Sequence, residues 1–146
     1  MRMPDVNVLI YAHREEDPDH PFYQNWLEDL INGPEPFALS PLVAVAFVRI
    51  VTHPSFASSP TPLPQALSVI DSLRSSPHHR SPGPGPHHWD LTKLLCEKTS
   101  ATGKRVADAQ HAALAIENGC TWVTRDPDFQ EFTRWGLRLE ILEPNS

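Results

Sequence analysis

The 146-residue chain contains little cysteine, an excess of acidic over basic residues and no long apolar run. Its two cysteines, Cys96 and Cys120, do not suggest a disulfide framework, so we expect a reducing, cytoplasmic setting. Twelve basic residues against 18 acidic ones give a net charge of −6. This balance argues against a broadly basic nucleic-acid surface, although a local patch or a metal ion can supply positive charge.

The apolar segments are all too short for a transmembrane helix, so we expect no membrane contact. An acid as early as Asp5 also argues against a signal peptide. Hydrophobic residues make up 40% of the chain and charged residues 21%, which is ordinary for a globular protein. The length therefore predicts a single domain spanning residues 1–146.

Strand and helix patterns alternate along the chain. The nearly continuous apolar stretch PDVNVLIYA predicts a first strand buried on both faces. The other predicted strands are 37–39, 121–124 and 137–142, and the predicted helices are 20–31, 41–53, 63–74, 88–100 and the segment VADAQHAALAIE. The stretch SSPHHRSPGPGPHH predicts a loop or a weak edge strand. The alternation predicts an α/β fold: an α/β/α sandwich around a central parallel sheet of four or five strands.

Three acids lie on elements that such a fold gathers at one edge of its sheet, where ligands bind. Asp5 is on the first strand, Asp108 is near the start of a helix, and Asp126 follows the strand TWVT. Two carboxylates about 4 Å apart repel by roughly 4 kcal/mol at an effective dielectric of about 20. A shared site therefore needs protonation, a salt bridge or a cation. Ligands that are all oxygen favour Mg²⁺ or Mn²⁺, and such ions suit phosphodiester hydrolysis.

Each acid also has a plainer interpretation. Asp108 is consistent with a charge that stabilises the start of its helix. Asp126 is consistent with a turn residue, and Asp5 with one half of an arginine ion pair. A receiver-type or phosphatase protein, with Asp5 as phosphoryl acceptor, is a further hypothesis, but Asn7 stands where a second acid is usual.

Four stretches together resemble the PIN domain family: PDVNVLIYA, LSPLVAVAFVRIVTHP, VADAQHAALAIENG and TWVTRDPDFQEF. Within that family they look like the VapC-type toxins of bacterial toxin–antitoxin pairs. The resemblance runs from Asp5 to about Trp135. It implies a Mg²⁺- or Mn²⁺-dependent ribonuclease that cleaves RNA, is usually a homodimer and is inhibited by a VapB-like antitoxin.

The matching motifs also imply roles for individual residues. Asp5, Asp108 and Asp126 correspond to the family's catalytic, metal-binding acids, and Asp128 is a candidate outer metal ligand. The polar positions that orient these ligands in the family correspond to Asn7 and Thr124.

One position departs from the family pattern. Many relatives carry a glutamate in the helix after the second strand, where this chain has Ala46. Three explanations are open: this branch needs only three acids, or metal affinity is weakened and the domain only binds antitoxin or RNA, or the alanine was introduced to silence a toxic enzyme. Glu15 and Glu16 are candidate substitutes for the missing acid.

Other groups that attract attention are the histidines and a few basic residues. The histidine pairs at 78–79 and 87–88 lie in a loop rich in proline, which favours a surface loop over a zinc site. Arg49 and His53 are candidate phosphate contacts. The basic residues expected near the acids are Lys104, Arg105 and Arg125.

Overall fold

A computed structural model of the chain describes residues 1–144, so the last two positions of the predicted domain lie outside the described residues. The strands are β1 (Arg2–Pro4), β2 (Phe37–Ala38), β3 (His79–Arg80), β4 (Thr121–Thr124) and β5 (Arg138–Ile141). The helices are α1 (Val6–His13), α2 (His20–Asn32), α3 (Pro41–Val51), α4 (Leu63–Arg74), α5 (His88–Thr99), α6 (Lys104–Glu117) and a 3-10 helix (Pro127–Trp135).

The strands form one parallel sheet in the order β3-β2-β1-β4-β5, which confirms the predicted α/β fold class. In chain order, β2 and β3 lie on one side of β1, and β4 and β5 lie on the other side. Right-handed crossovers in opposite directions place their helices on opposite faces of the sheet. The gap between β1 and β4 is therefore the switch point, where parallel α/β sheets bind their ligands.

The first predicted strand is wrong in its bounds. Only Arg2–Pro4 joins the sheet, and Val6–His13 forms the helix α1. Asp5 is the N-cap of this helix and not a residue at the front of a strand. The segment Val6–His13 is nearly continuously apolar because α1 is buried on two sides, with Leu9 in the main core and Val8 in a second cluster. A short apolar run does not by itself distinguish a buried strand from a buried helix.

The remaining elements follow the predicted pattern, with shifts of a few residues at their ends. The segment rich in proline contributes a short edge strand, β3. The 3-10 helix was not predicted. Gly103, which precedes α6, has φ +58° and ψ −126°, a conformation that suits glycine and fixes the direction in which α6 leaves the loop.

Two apolar clusters hold the layers together. The main core lies between the sheet and its helices and contains the fully buried side chains of Met3, Phe47 and Trp122. In the smaller cluster the Tyr23 hydroxyl donates a hydrogen bond of 2.7 Å to the carbonyl of Leu142, which ties α2 to the end of the sheet. Within residues 1–144, the structure contains no helix long and apolar enough to cross a membrane.

Helix α3 offers a matched test of this packing. Val43 is 0% exposed, whereas Val45 on the same helix is 69% exposed. We expect Val43→Ala to lower the free energy of unfolding by about 2 kcal/mol, because it leaves a cavity in the core. The control Val45→Ala should change it little, and urea denaturation measures both. Equal effects of the two substitutions would contradict the packing described here.

Candidate active site

Asp5 lies at the carboxyl edge of the sheet because β1 ends one residue before it. Pro4 is paired with Val123 on β4, so the next residues, Asp5 and Thr124, lie side by side, with Thr124 as the last residue of β4. The backbone N–H of Asp5 continues the ladder by donating to the carbonyl of Val123 at 2.7 Å. The first candidate acid is therefore at the switch point.

Both carboxylate oxygens of Asp5 accept hydrogen bonds. Oδ1 accepts from the backbone N–H of Val6 at 2.6 Å, and this bond starts α1. Oδ2 accepts from the Thr124 hydroxyl at 2.7 Å and from the Asn7 amide at 3.3 Å. The orientation of the Asp5 side chain is thus fixed by one helix and one neighbouring strand.

The Thr124 hydroxyl connects the polar groups of this edge. It donates its proton to Asp5 and accepts from Asn7 Nδ2 at 3.1 Å and from the backbone N–H of Asp126 at 3.0 Å. Asn7 Oδ1 in turn accepts from the backbone N–H of Arg125 at 3.3 Å. One donor and two acceptor positions exhaust what a hydroxyl offers. Thr124 and Asn7 are therefore placed as the sequence analysis expected, beside Asp5.

Burial raises the pKa of Asp5 to about 6, since the side chain is only 6% exposed. The hydrogen bonds from Thr124 and Val6 oppose this shift, and the charges of Asp108 and Asp126 add to it. The three predicted acids are thus close enough to interact electrostatically. Among residues 1–144 no cation pairs with Asp5, so the arginine ion pair considered for it does not form.

Asp108 is the fifth residue of α6 and is buried. A negative charge stabilises a helix N-terminus when it lies in the first turn, and Asp108 lies beyond that turn. Stabilisation of the helix start therefore does not account for the position of Asp108. Its Oδ2 accepts from Arg105 Nη1 at 3.1 Å. The described residues supply no hydrogen bond to Oδ1, which leaves that oxygen available to a ligand.

Arg105 is held in place by several partners besides Asp108. Its Nη2 donates to Glu131 Oε2 at 2.8 Å and to the backbone carbonyl of Asp128 at 3.3 Å. The guanidinium carbon also lies 4.7 Å from the centre of the Phe132 ring. Arg105 therefore joins α6 to the 3-10 helix and fixes the distance between Asp108 and the segment after β4.

Asp126 has two roles in the structure. Its Oδ1 accepts from the backbone N–H of Asp128 at 2.9 Å, which caps the 3-10 helix. The interpretation of Asp126 as a turn residue is therefore correct for this oxygen. Its Oδ2 contacts Lys104 Nζ at 3.4 Å. The charges of Asp108 and Asp126 raise the pKa of Lys104, with Asp108 the largest contribution. Lys104 therefore lies between the second and third acids.

Asp128, the candidate outer ligand, is an exposed residue in the first turn of the 3-10 helix. Its carboxylate adds to the charges that raise the pKa of Lys104, so it lies within electrostatic range of that side chain. Ala46 lies on α3 and is partly buried. Glu16 pairs with Arg14 at 3.2 Å, and substitution of Glu15 or Glu16 for the missing glutamate stays a prediction.

The side chains do not form a ready-made metal site. In the described part of the chain, no three histidine, cysteine or acidic groups are arranged so that they could hold a metal ion. Lys104 and Arg105 hold the positive charge at this edge instead. The donor chemistry nevertheless fits a hard cation, because the ligands are carboxylate oxygens and Asp5 lacks any counter-charge. Lys104 is 75% exposed, so its contact with Asp126 is weak and readily displaced.

Arg125 has a structural role that the sequence did not reveal. Its guanidinium carbon lies 3.7 Å from the centre of the Tyr11 ring and 5.3 Å from that of Tyr23, and its Nη2 contacts Asp19 at 3.4 Å. Such stacking depends on where α1 and α2 pack, and no local motif indicates it. Arg49, a candidate phosphate contact, forms no ion pair with any described residue.

The chain belongs to the PIN domain family, which matches residues 2–134. Within the family it belongs with the VapC proteins. It is 35% identical over 132 residues to ribonuclease VapC25 of Mycobacterium tuberculosis, covering 90% of this chain and 93% of that protein. It is 38% identical over 130 residues to VapC ribonuclease Mb2897 of Mycobacterium bovis, covering 89% of this chain and 88% of that protein.

A solved structure supports the fold. The VapBC2 complex of Rickettsia felis, bound to a DNA fragment from its promoter, contains a chain that matches this one with a TM-score of 0.64 at 23% identity. The match covers 95% of this chain and 96% of that chain. At this level of identity the likeness concerns the fold alone.

The raised pKa of Asp5 predicts a pH-dependent stability. An unfolded aspartate titrates near pH 3.9, so between about pH 4 and pH 6 the folded chain binds more protons than the unfolded chain. The wild type therefore loses stability as the pH rises through this window. Relative to the wild type, Asp5→Asn should gain about 2 to 3 kcal/mol between pH 4 and pH 7.

Urea denaturation in a chelating buffer at several pH values measures this difference. Comparing the two proteins at each pH removes the contributions of titrating groups that do not interact with Asp5. A difference between Asp5→Asn and the wild type that stays constant from pH 4 to pH 7 would contradict the raised pKa.

Proposed function

We propose that residues 1–146 form one PIN-like domain that acts as an endoribonuclease toxin of the VapC type, cleaving RNA phosphodiester bonds. The relatives named above are ribonucleases by name and match nearly the whole chain. The observation that carries the proposal is that Asp5, at the switch point, is buried without a counter-charge and interacts with the charges of Asp108 and Asp126. Such a concentration of negative charge is costly unless a ligand uses it.

Mg²⁺ or Mn²⁺ is the cofactor that this donor set suits. Asp5, Asp108 and Asp126 would hold the ion, and Asp128 would serve as an outer ligand. When bound, such an ion neutralises charge on a phosphate and lowers the pKa of a water molecule.

The chain's own residues prepare the acids for this role. The Thr124 hydroxyl donates to Asp5 Oδ2 and so favours the ionised form of that carboxyl group against the effect of burial. Arg105 donates to Asp108 Oδ2 and leaves its Oδ1 free. Lys104, held by one long contact, can release Asp126 at a small cost in free energy.

The proposed partners follow from the same family. The Rickettsia felis complex is one of VapB with VapC, and we extend this to a VapB-like antitoxin and a homodimer for the present chain, in the cytoplasm. Exposed apolar side chains on α3 and α4 offer a surface for protein contacts. The most exposed of these are Val45, Leu63 and Leu67.

Cleavage of RNA in the presence of Mg²⁺ or Mn²⁺ is the direct test. The antitoxin must be removed before the assay. We expect Asp5→Asn and Asp108→Asn to lower the cleavage rate by at least about 100-fold, because even partners of metal ligands are worth about 10- to 100-fold. The control Asp29→Asn, an exposed acid on α2, should retain full activity.

The same assay separates the enzyme from a binding module. If the purified wild type cleaves no RNA at any concentration of either metal, the enzyme hypothesis is wrong. Ala46 would then favour a domain that only binds antitoxin or RNA. Activity that appears only after Ala46→Glu would lead to the same conclusion.

The role of Thr124 in orienting Asp5 gives a separate prediction. Thr124→Val removes the hydroxyl that contacts Asp5, Asn7 and the backbone of Asp126. We expect about a 10- to 100-fold loss of Mn²⁺ affinity by isothermal titration calorimetry. Thr121→Val, on the same strand but outside this network, is the matched control. Equal Mn²⁺ affinities of the two variants would show that Thr124 does not orient the ligands.

A further inference from the structure

A cleft of about 570 Å³ lies between the C-terminal parts of α1 and α3 and the loop that follows α3. Its walls include Tyr11 from the first of these helices and Arg14, which directly follows that helix. Arg49 comes from the second helix, and His53 and Phe56 come from the loop. The backbone of Ala57, which also lines the cleft, has a positive φ of 51°, an uncommon conformation for alanine. A strained loop conformation of this kind is typical of binding sites.

The charge of the cleft is the reverse of that of the whole chain. The protein has a net charge of −6, yet no carboxylate lines this cleft. Arg49 is exposed and has no acidic partner within residues 1–144. Arg14 pairs only with Glu16, and both side chains are exposed, so this contact is weak. Two guanidinium groups are therefore available to an anion.

The remaining polar groups of the cleft are hydrogen-bond donors or can become donors. His53 Nδ1 accepts from the backbone N–H of Ser55 at 3.1 Å, so the neutral ring carries its proton on Nε2. An imidazole N–H and two guanidinium groups suit phosphate oxygens. The partly buried ring of Phe56 and the ring of Tyr11 give the cleft flat apolar surfaces beside these donors. Phosphate donors next to aromatic rings are the usual means of binding single-stranded nucleic acid.

The cleft is connected to the acids through α1. Asp5 caps the start of this helix, and Tyr11 lies six residues later, about 9 Å along the helix axis at 1.5 Å per residue. Arg125 provides a second connection, because its backbone N–H donates to Asn7 beside Asp5 while its guanidinium stacks on Tyr11. Asp5 and the cleft thus lie at opposite ends of one short helix, a separation that a strand of RNA is long enough to span.

We infer that this cleft binds a nucleotide of single-stranded RNA adjacent to the bond that is cleaved. Arg49, supported by Arg14 and His53, binds its phosphate, and Phe56 contacts its base. The inference rests on the function proposed above and adds a binding site for the substrate outside the three acids. RNA is favoured over an acidic peptide because the cleft has aromatic surfaces in addition to cations and is connected to the acids.

Binding and cleavage are to be measured separately. Binding is followed by fluorescence anisotropy in EDTA at low salt, where the chain does not cleave, using a labelled single-stranded RNA oligonucleotide and the same oligonucleotide with abasic positions. The variants are Arg49→Ala, Arg49→Lys and Phe56→Leu. Arg74→Ala, an exposed arginine on α4 outside the cleft, is the matched control. Cleavage of the intact RNA is then measured with Mn²⁺.

We expect Arg49→Ala to weaken binding about tenfold and to reduce the slope of log affinity against log salt by about one. Arg49→Lys should keep most of the affinity, since it preserves the charge, and Arg74→Ala should stay within about twofold of the wild type. The wild type should bind the oligonucleotide with bases several-fold more tightly than the abasic one. Phe56→Leu should lose this preference.

The other outcomes distinguish an error in this inference from an error in the proposed function. If Arg49→Ala binds RNA as Arg74→Ala does while the wild type cleaves RNA, the cleft is not a nucleotide site and the proposed function stands. If only Arg49→Ala loses binding but the wild type cleaves nothing, the cleft stands and the proposed cleavage is wrong. Competition by an oligoglutamate peptide as strong as that by RNA would overturn the inference in favour of an acidic protein segment.

Discussion

The hydrogen bond from the Thr124 hydroxyl to Asp5 Oδ2, 2.7 Å long, is the contact on which the arrangement of the acids depends. It joins the ends of β1 and β4 at the one place in the sheet where the connections diverge. The same hydroxyl accepts from Asn7 and from the backbone of Asp126, so it also places the start of the 3-10 helix. A buried carboxylate in such a network is held firmly, because each member satisfies the others.

Electrostatics explains how so acidic an edge is tolerated in a folded chain. Arg105, anchored by Asp108, Glu131 and the Phe132 ring, is a permanent part of the structure. Lys104 is exposed and makes one long contact, so it is a temporary counter-charge for Asp126. Asp5 has no basic partner of either kind, and burial together with its acidic neighbours raises its pKa to about 6. Of the three acids, Asp108 and Asp126 each contact a basic side chain and Asp5 does not, which leaves a place for a cation.

The sequence predicted the fold class because the strands and helices carry clear periodicities. It singled out Asp5, Asp108 and Asp126 because of their places on strands and at a helix start, and the family resemblance then implied their roles. It misplaced the first strand, since Val8 and Leu9 are buried on two sides of a helix and therefore resemble a buried strand. The sequence did place Lys104 and Arg105 near the acids, as the structure confirms. Which acid each of them contacts was not predicted, because this depends on the turn between α5 and α6. The stacking of Arg125 on Tyr11 likewise depends on packing between distant segments. That the acids bind metal stays a prediction.

Anomalous diffraction from a crystal soaked in Mn²⁺ tests the central claim most directly. We expect an anomalous peak at coordination distance from Asp5 and Asp108, with Asp126 turned toward it and the Lys104 ammonium moved away from that carboxylate. A crystal that shows no manganese at this edge, with Lys104 still in contact with Asp126, would contradict the account.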